Sequence, residues 1–259
     1  MINYLKSETY RVLHRKSTYI FIGICSLLLM SSNIVLAAVK QSDGTFPYAT
    51  TKFAFSLAYT GISMVYILCI VVSNMIYSNE YRNNTMKNCV AYGIPRETIY
   101  FGKFIMQLIY SVIALFVIIG IYITSAYLLL ENSGAAELGI LIRTCFAAMP
   151  LLIVGLATMN CAVFMIEGSG AAVTAALGLM VGLPTVCNLL AMRFQTFKHL
   201  SDVLPWNILN YNGYDPASQE TILYWSTQEG LRNCWIIGIL ETILLIAVGY
   251  AVFRKKEIK

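Results

Sequence analysis

The sequence predicts an all-α, polytopic membrane protein of six transmembrane helices, and three observations carry that fold class. Of the 259 residues, 58% are hydrophobic and only 12% are charged, about half the ~25% charge of a soluble domain. Mean hydropathy is +0.68. The apolar residues gather into continuous runs of about 20, the length a helix needs to cross a bilayer, and do not alternate at the period of a transmembrane barrel. A soluble enzyme is excluded, because so little charge cannot clothe its surface. A disordered chain is excluded because disorder needs low hydrophobicity and high net charge. One transmembrane domain, 1–259, is expected.

Residues 1–18 predict an amphipathic elbow helix. Ile2, Leu5, Val12 and Leu13 share one face of it, opposite Arg11, His14 and Arg15. Such a helix lies in the membrane interface with its basic face toward anionic headgroups, and Lys16, on the apolar side, snorkels. Span one, Tyr19–Val39, exceeds the about 7–15 residues of a signal-peptide core and is expected to remain uncleaved. The remaining spans are Phe55–Tyr77, Phe104–Leu130, Ile140–Ile166, Gly170–Met192 and Cys234–Phe253. With the N-terminus inside, twelve of the 18 Lys and Arg residues fall on the cytoplasmic side, as the positive-inside rule requires. Both termini are then cytoplasmic. The net charge of +5 becomes a feature of the inner leaflet, with no reason to invoke nucleic acid.

The loop at 79–100 concentrates charge that the rest of the chain lacks: Glu80, Arg82, Lys87, Arg96 and Glu97. Asn84 or Thr85 caps a short helix through Met86–Tyr92, Gly93 ends it and Pro95 prevents its continuation. A new helix is expected to start near Arg96 and enter span three. In the outer loop, 193–231, Phe194, Phe197, Leu200, Val203 and Leu204 recur at helical spacing, closed by Pro205 and Trp206. A second apolar stretch is Ile222–Trp225. Both are expected to be short re-entrant or external helices with Trp and Tyr at headgroup level. The outer acids Asp202, Asp215, Glu220 and Glu229 read as a solvated face, with attraction of cationic cargo as the alternative.

Glu241 lies near the middle of span six. An acidic side chain there costs about 2.5–3.5 kcal/mol on insertion scales, and the eleven Ile, Leu, Val and Phe residues of the span, at about −0.3 to −0.6 each, outweigh it. So costly a group faces a bundle interior or a watery cavity. It either lines a transport path or hydrogen-bonds to Gln107, Asn160 or Asn188 on neighbouring spans. Gly178 and Gly182 form a small-xxx-small spacing that permits close helix contact. Pro150 and Pro184 are candidate kinks in spans four and five. The seven cysteines show no metal or redox spacing and read as free thiols. There is no Gly-x-x-x-x-Gly-Lys-Ser/Thr loop, no His-Glu-x-x-His and no Gly-x-Ser-x-Gly, so neither P-loop ATP binding nor hydrolase chemistry has its parts here.

Glu80-Tyr81-Arg82-x-x-Thr85-Met86-Lys87, followed by Gly93-Ile-Pro95-Arg96, resembles the E-Y-R-x-G-T-x-K … P-x-R pattern of ABC-2 type transporter permeases. The elbow helix, six spans and basic tail Phe253–Lys259 agree with that resemblance. One departure is Asn84, where the family often has Gly; Asn tolerates the left-handed conformation better than most residues. The resemblance implies that Glu80, Tyr81, Arg82, Thr85, Lys87, Gly93, Pro95 and Arg96 form a coupling helix seated on a separate ABC ATPase subunit. That subunit would bind ATP and Mg, with no cofactor on this chain and no enzymatic activity of its own. The resemblance further implies a second copy or related permease as partner, a plasma-membrane location, and cargo of the lantibiotic, amphipathic-peptide or drug class. Glu241, Gln107, Asn160 and Asn188 are the residues expected along the transport path. Two rivals stand beside this reading. One is an ion-coupled secondary transporter using Glu241, which calls for repeats in the two halves that the sequence does not display. The other is a non-transporting immunity or scaffold protein.

Overall fold

The computed structural model describes residues 1–83, 89, 91–215 and 220–256. It begins with α1 (Ile2–Leu13), whose inward residues are Tyr4, Glu8 and Val12, one per turn. Leu5 packs beside them, while Ile2 and Leu13 are 70% and 54% exposed. The predicted apolar face is therefore split. Val12 and Leu5 join the bundle, Ile2 and Leu13 face outward, and an acid that the wheel ignored points in. His14 closes the helix by stacking on Tyr10 at 3.8 Å, and extended Arg15 turns the chain into the first span.

That span, α2 (Lys16–Ser42), is built inside-out relative to a soluble helix. Its buried residues are Thr18, Ser26 and Asn33, whereas Leu27, Leu28 and Val35 are exposed. Lipid is as apolar as leucine, so helices in a bilayer associate through small and polar residues. Asn33 Nδ2 donates to Ser125 Oγ at 2.8 Å and to the Tyr122 carbonyl at 3.3 Å.

Span two is not the single straight helix expected over Phe55–Tyr77. It is two pieces, α3 (Thr51–Thr60) and α4 (Ile62–Asn83), bent by 56°. The break falls at Gly61, where a Cβ would stand 3.0 Å from the Leu57 carbonyl oxygen. Just before it, Thr60 Oγ1 donates back to the Ser56 carbonyl at 2.7 Å, a bond that competes with the helix ladder and bends it.

α5 (Arg96–Leu129) has 34 residues and is about 50 Å long at 1.5 Å per residue. It outruns a hydrocarbon core of about 30 Å, so its first turns project beyond it. α6 (Ala136–Met165) is the axis of the bundle: 61% of its most apolar stretch is buried, against 11% in α2. Pro150 sits inside it, and Gly238 of the last helix lies so close that a Cβ there would stand 2.6 Å from Pro150 Cβ.

Span five comprises α7 (Ser169–Leu177), a π-helical turn at Gly178–Gly182, and α8 (Leu183–Ala191) with Pro184 in its first turn. The small-xxx-small pair serves this wider turn. Neither Gly178 nor Gly182 has a neighbour within 4 Å of where a Cβ would stand, so the predicted close helix contact is not made within the chain. After it come α9 (Gln195–Ser201) and α10 (Pro205–Leu209); Pro205 opens the second helix instead of ending the first. The second apolar stretch is half strand and half a short 3-10 helix. β1 (Asn212–Asp215) pairs antiparallel with β2 (Glu220–Leu223), and Tyr224–Ser226 follows as a 3-10 turn. Trp225 is buried and donates Nε1–H to Thr144 Oγ1 at 2.9 Å, so it anchors the loop to α6 instead of resting among headgroups. α11 (Gln228–Lys255) begins at the Thr227 cap, whose Oγ1 accepts from Gly230 N at 3.0 Å.

Among the described residues five helices are long and apolar enough to cross a membrane, and there are six spans when the bent pair α3–α4 is counted as one. The protein is thus an all-α, multi-pass membrane protein, with one small hairpin among the described residues.

Candidate functional site

The polar residues gather at one end of the bundle, where α1, the start of α5 and the end of α11 meet. Gly93 takes φ +79°, the left-handed conformation glycine adopts without penalty, and Ile94 N–H bonds to the Cys89 carbonyl at 3.1 Å. Pro95 is the N-cap of α5. Arg96 Nη1 then donates to three carbonyls at the end of α11: Phe253 at 3.1 Å, Arg254 at 2.9 Å and Lys256 at 2.7 Å. Its guanidinium carbon also stands 5.9 Å from the Phe253 ring centre. The last carbonyls of a helix lack intrahelical partners and carry partial negative charge, so a cation is well placed there. Arg96 is thus a clasp between the segment that follows the charged loop and the last span. Thr85 and Lys87 lie outside the described residues. Glu80, Tyr81 and Arg82 occupy the last turns of α4, and their side chains are likewise outside the described part.

About two turns further along α5, Lys103 is 1% exposed. Its Nζ lies 3.3 Å from Glu8 Oε1 of α1, and Glu8 also pairs with Arg11. Gly102 lets Tyr4 come this close: a Cβ at 102 would meet the Tyr4 ring at 2.7 Å. Lys103 Nζ stands 5.7 Å from the Tyr77 ring centre and 6.0 Å from that of Tyr4, within cation–π range. From there a polar seam runs into the bundle between α4, α5 and α6. Tyr77 donates its hydroxyl to Asn160 Oδ1. Gln107 Nε2 donates to Ser73 Oγ and, at 3.3 Å, to the Leu156 carbonyl, while Ser73 Oγ donates to the Cys69 carbonyl at 2.6 Å. Gln107 and Asn160 are fully buried.

Glu241 stands apart from this seam. It shares the inward side of α11 with Cys234 and Gly238 and lies within electrostatic reach of the buried Tyr66 of α4. Among the described residues it makes no hydrogen bond or ion pair, so the predicted bond to Gln107, Asn160 or Asn188 is not formed. Asn188 is at the other end of the molecule, on the wall of a cavity of about 670 Å³. The four residues predicted for one transport path thus occupy three places: a buried seam, a half-buried position on α11, and a cavity at the far end of the bundle. The sequence reading singled out none of Glu8, Ser73, Tyr77 and Lys103 as a site residue. A signal was present in Gly-Lys-Phe-Ile at 102–105, a charge between apolar neighbours.

All seven cysteines are free, and no group of His, Cys, Asp or Glu among the described residues is arranged to hold a metal. The family model described as ABC-2 family transporter protein matches residues 5–192, which takes in α1, the charged loop, the polar seam and five of the six spans. Among curated proteins none matches the chain. The match covers well over half of the sequence, and the chain belongs to the ABC-2 family of transporter proteins.

Proposed function

We propose that the chain is the permease subunit of an ABC exporter, driven by a separate ATPase subunit, and that its cargo is an amphipathic peptide or drug-like molecule. The observation that carries this reading is the junction at Arg96. The charged loop feeds directly into α5, α5 is clasped to the end of α11 by Arg96 and to α1 by Lys103. A push on residues 79–100 therefore reaches three elements at once. Glu80, Tyr81, Arg82, Thr85 and Lys87 contact the ATPase in this reading, while Gly93, Pro95 and Arg96 transmit its movement. ATP and Mg are bound by the partner chain. Two permease subunits, identical or related, form the pathway in the plasma membrane, with both termini in the cytoplasm. Placing α1, the end of α11 and the charged loop together on that side satisfies the positive-inside rule.

Glu241 is the residue proposed to face the moving cargo or its water, since it is the acid on the inward side of a span that has no structural partner among the described residues. The experiment is co-purification of the affinity-tagged chain with the ATPase encoded beside it, followed by reconstitution and export assays. A stable complex whose ATP hydrolysis rises with amphipathic peptides supports the reading. A chain that assembles with no ATPase contradicts it.

A further inference from the structure

At the end of the bundle away from Arg96, the cavity of about 670 Å³ opens between the end of α8, the helices α9 and α10, the hairpin and the start of α11. Its size falls in the ~300–1,000 Å³ range of ligand pockets. One side of it is firmly held. Asn207 Nδ2 donates to the Pro184 carbonyl at 3.1 Å, to the Ser201 carbonyl at 3.1 Å and to Ser201 Oγ at 2.9 Å, joining α10 to α9 and α8.

Five of the other polar side chains on the wall are Asn188, Lys198, Asp202, Glu229 and Asn233. None of them has a hydrogen-bond or ion-pair partner among the described residues. Two carboxylates face the space against one ammonium, so the wall is net negative at neutral pH. The carboxamides offer donors and acceptors together, the complement of a peptide group. Two further wall residues, Tyr211 and Ile222, are 50% and 40% exposed and add apolar surface. Except for Asn188, these residues lie beyond the family match at 5–192.

We infer that this outer cavity is a binding site for the cationic portion of an amphipathic peptide. Asp202 and Glu229 take the ammonium or guanidinium, Asn188 and Asn233 take neighbouring amides, and Tyr211 and Ile222 meet an apolar side chain. Lys198 opposes a second positive charge and sets the register of the bound segment. As a cargo site the cavity rests on the permease reading; as a binding site it is measured without any ATPase.

The full chain in phosphatidylcholine nanodiscs is titrated with a fluorescein-labelled peptide of leucine and lysine, and in parallel with its leucine–glutamine analogue. Asp202→Asn with Glu229→Gln is expected to weaken binding of the lysine peptide at least tenfold and to leave the analogue unchanged. Lys198→Glu is expected to tighten the lysine peptide several-fold, a gain that misfolding does not produce. Equal affinity of wild type and both variants for the lysine peptide overturns the proposal. So does displacement of the peptide by phosphatidylethanolamine in the disc, which would make the cavity a headgroup site. Failure of ATPase association alters none of these titrations, so the two readings fall separately.

Discussion

Lys103 and Glu8 are nearly sealed from solvent and pair with each other, and Glu8 is shared with Arg11. Removing one partner of a buried pair leaves an uncompensated charge at a cost of about 3–5 kcal/mol, while replacing both with apolar groups is often neutral. Lys103→Met leaves Glu8 with Arg11 alone and is expected to lower thermal stability in detergent, and Glu8→Leu with Lys103→Met to recover part of the loss. A single variant as stable as the parent would remove the pair from the account of how α1 is held. Glu241 is the opposite case. With no hydrogen bond to lose among the described residues, Glu241→Gln is expected to leave the assembly intact and the melting temperature at or above the parent's, because a neutral amide costs less than a carboxylate within a span. Its export rate is expected to fall. Full export by this variant would take Glu241 out of the mechanism.

At the scale of elements, the positions of the spans follow from hydrophobicity alone, and each apolar run became membrane-spanning helix. What periodicity does not encode is the break at Gly61, since glycine is tolerated inside many membrane helices and here acts together with the back-bonded Thr60. Nor does it encode whether a glycine makes a contact. Gly178 and Gly182 carry the familiar spacing and meet nothing, whereas Gly238, with no second glycine at that spacing, lies against Pro150. Gly238→Val is accordingly expected to force α11 off α6 and destabilise the fold by about 1–3 kcal/mol, the usual cost of overpacking. Gly178→Ala with Gly182→Ala is expected to leave the chain's own stability unchanged. Thermal unfolding of the two variants side by side checks the contrast. The hairpin escaped the reading because Ile222–Trp225 is too short for length to separate strand from helix. Trp225 is buried because its indole N–H found Thr144 on a helix some eighty residues away, a long-range partner that no local pattern announces.

For the molecule as a whole, composition told the class, and a short charged loop told the family. The candidate site was legible only in part. The loop at 79–100 stands out in sequence because charge is scarce everywhere else, and Arg96 was read as a contact with a partner. In the folded chain it caps α11, which makes it a link within the permease. Gln107 and Asn160 were grouped with Glu241 because all are polar within apolar runs, yet which side of a helix meets which neighbour depends on packing between distant segments. On this account the loop is the drive shaft and the clasp at Arg96 its joint. Arg96→Met is expected to leave ATPase association in place while ATP hydrolysis loses its coupling to export, read as the ratio of the two rates in proteoliposomes.

The most direct test of the central claim is co-purification of the ATPase with the tagged chain carrying Arg82→Glu and Lys87→Glu, alongside the parent. The account predicts that the parent brings down a stoichiometric ATPase and that the charge-reversed chain, equally stable by thermal unfolding, brings down little or none. Undiminished association with the charge-reversed chain would contradict it.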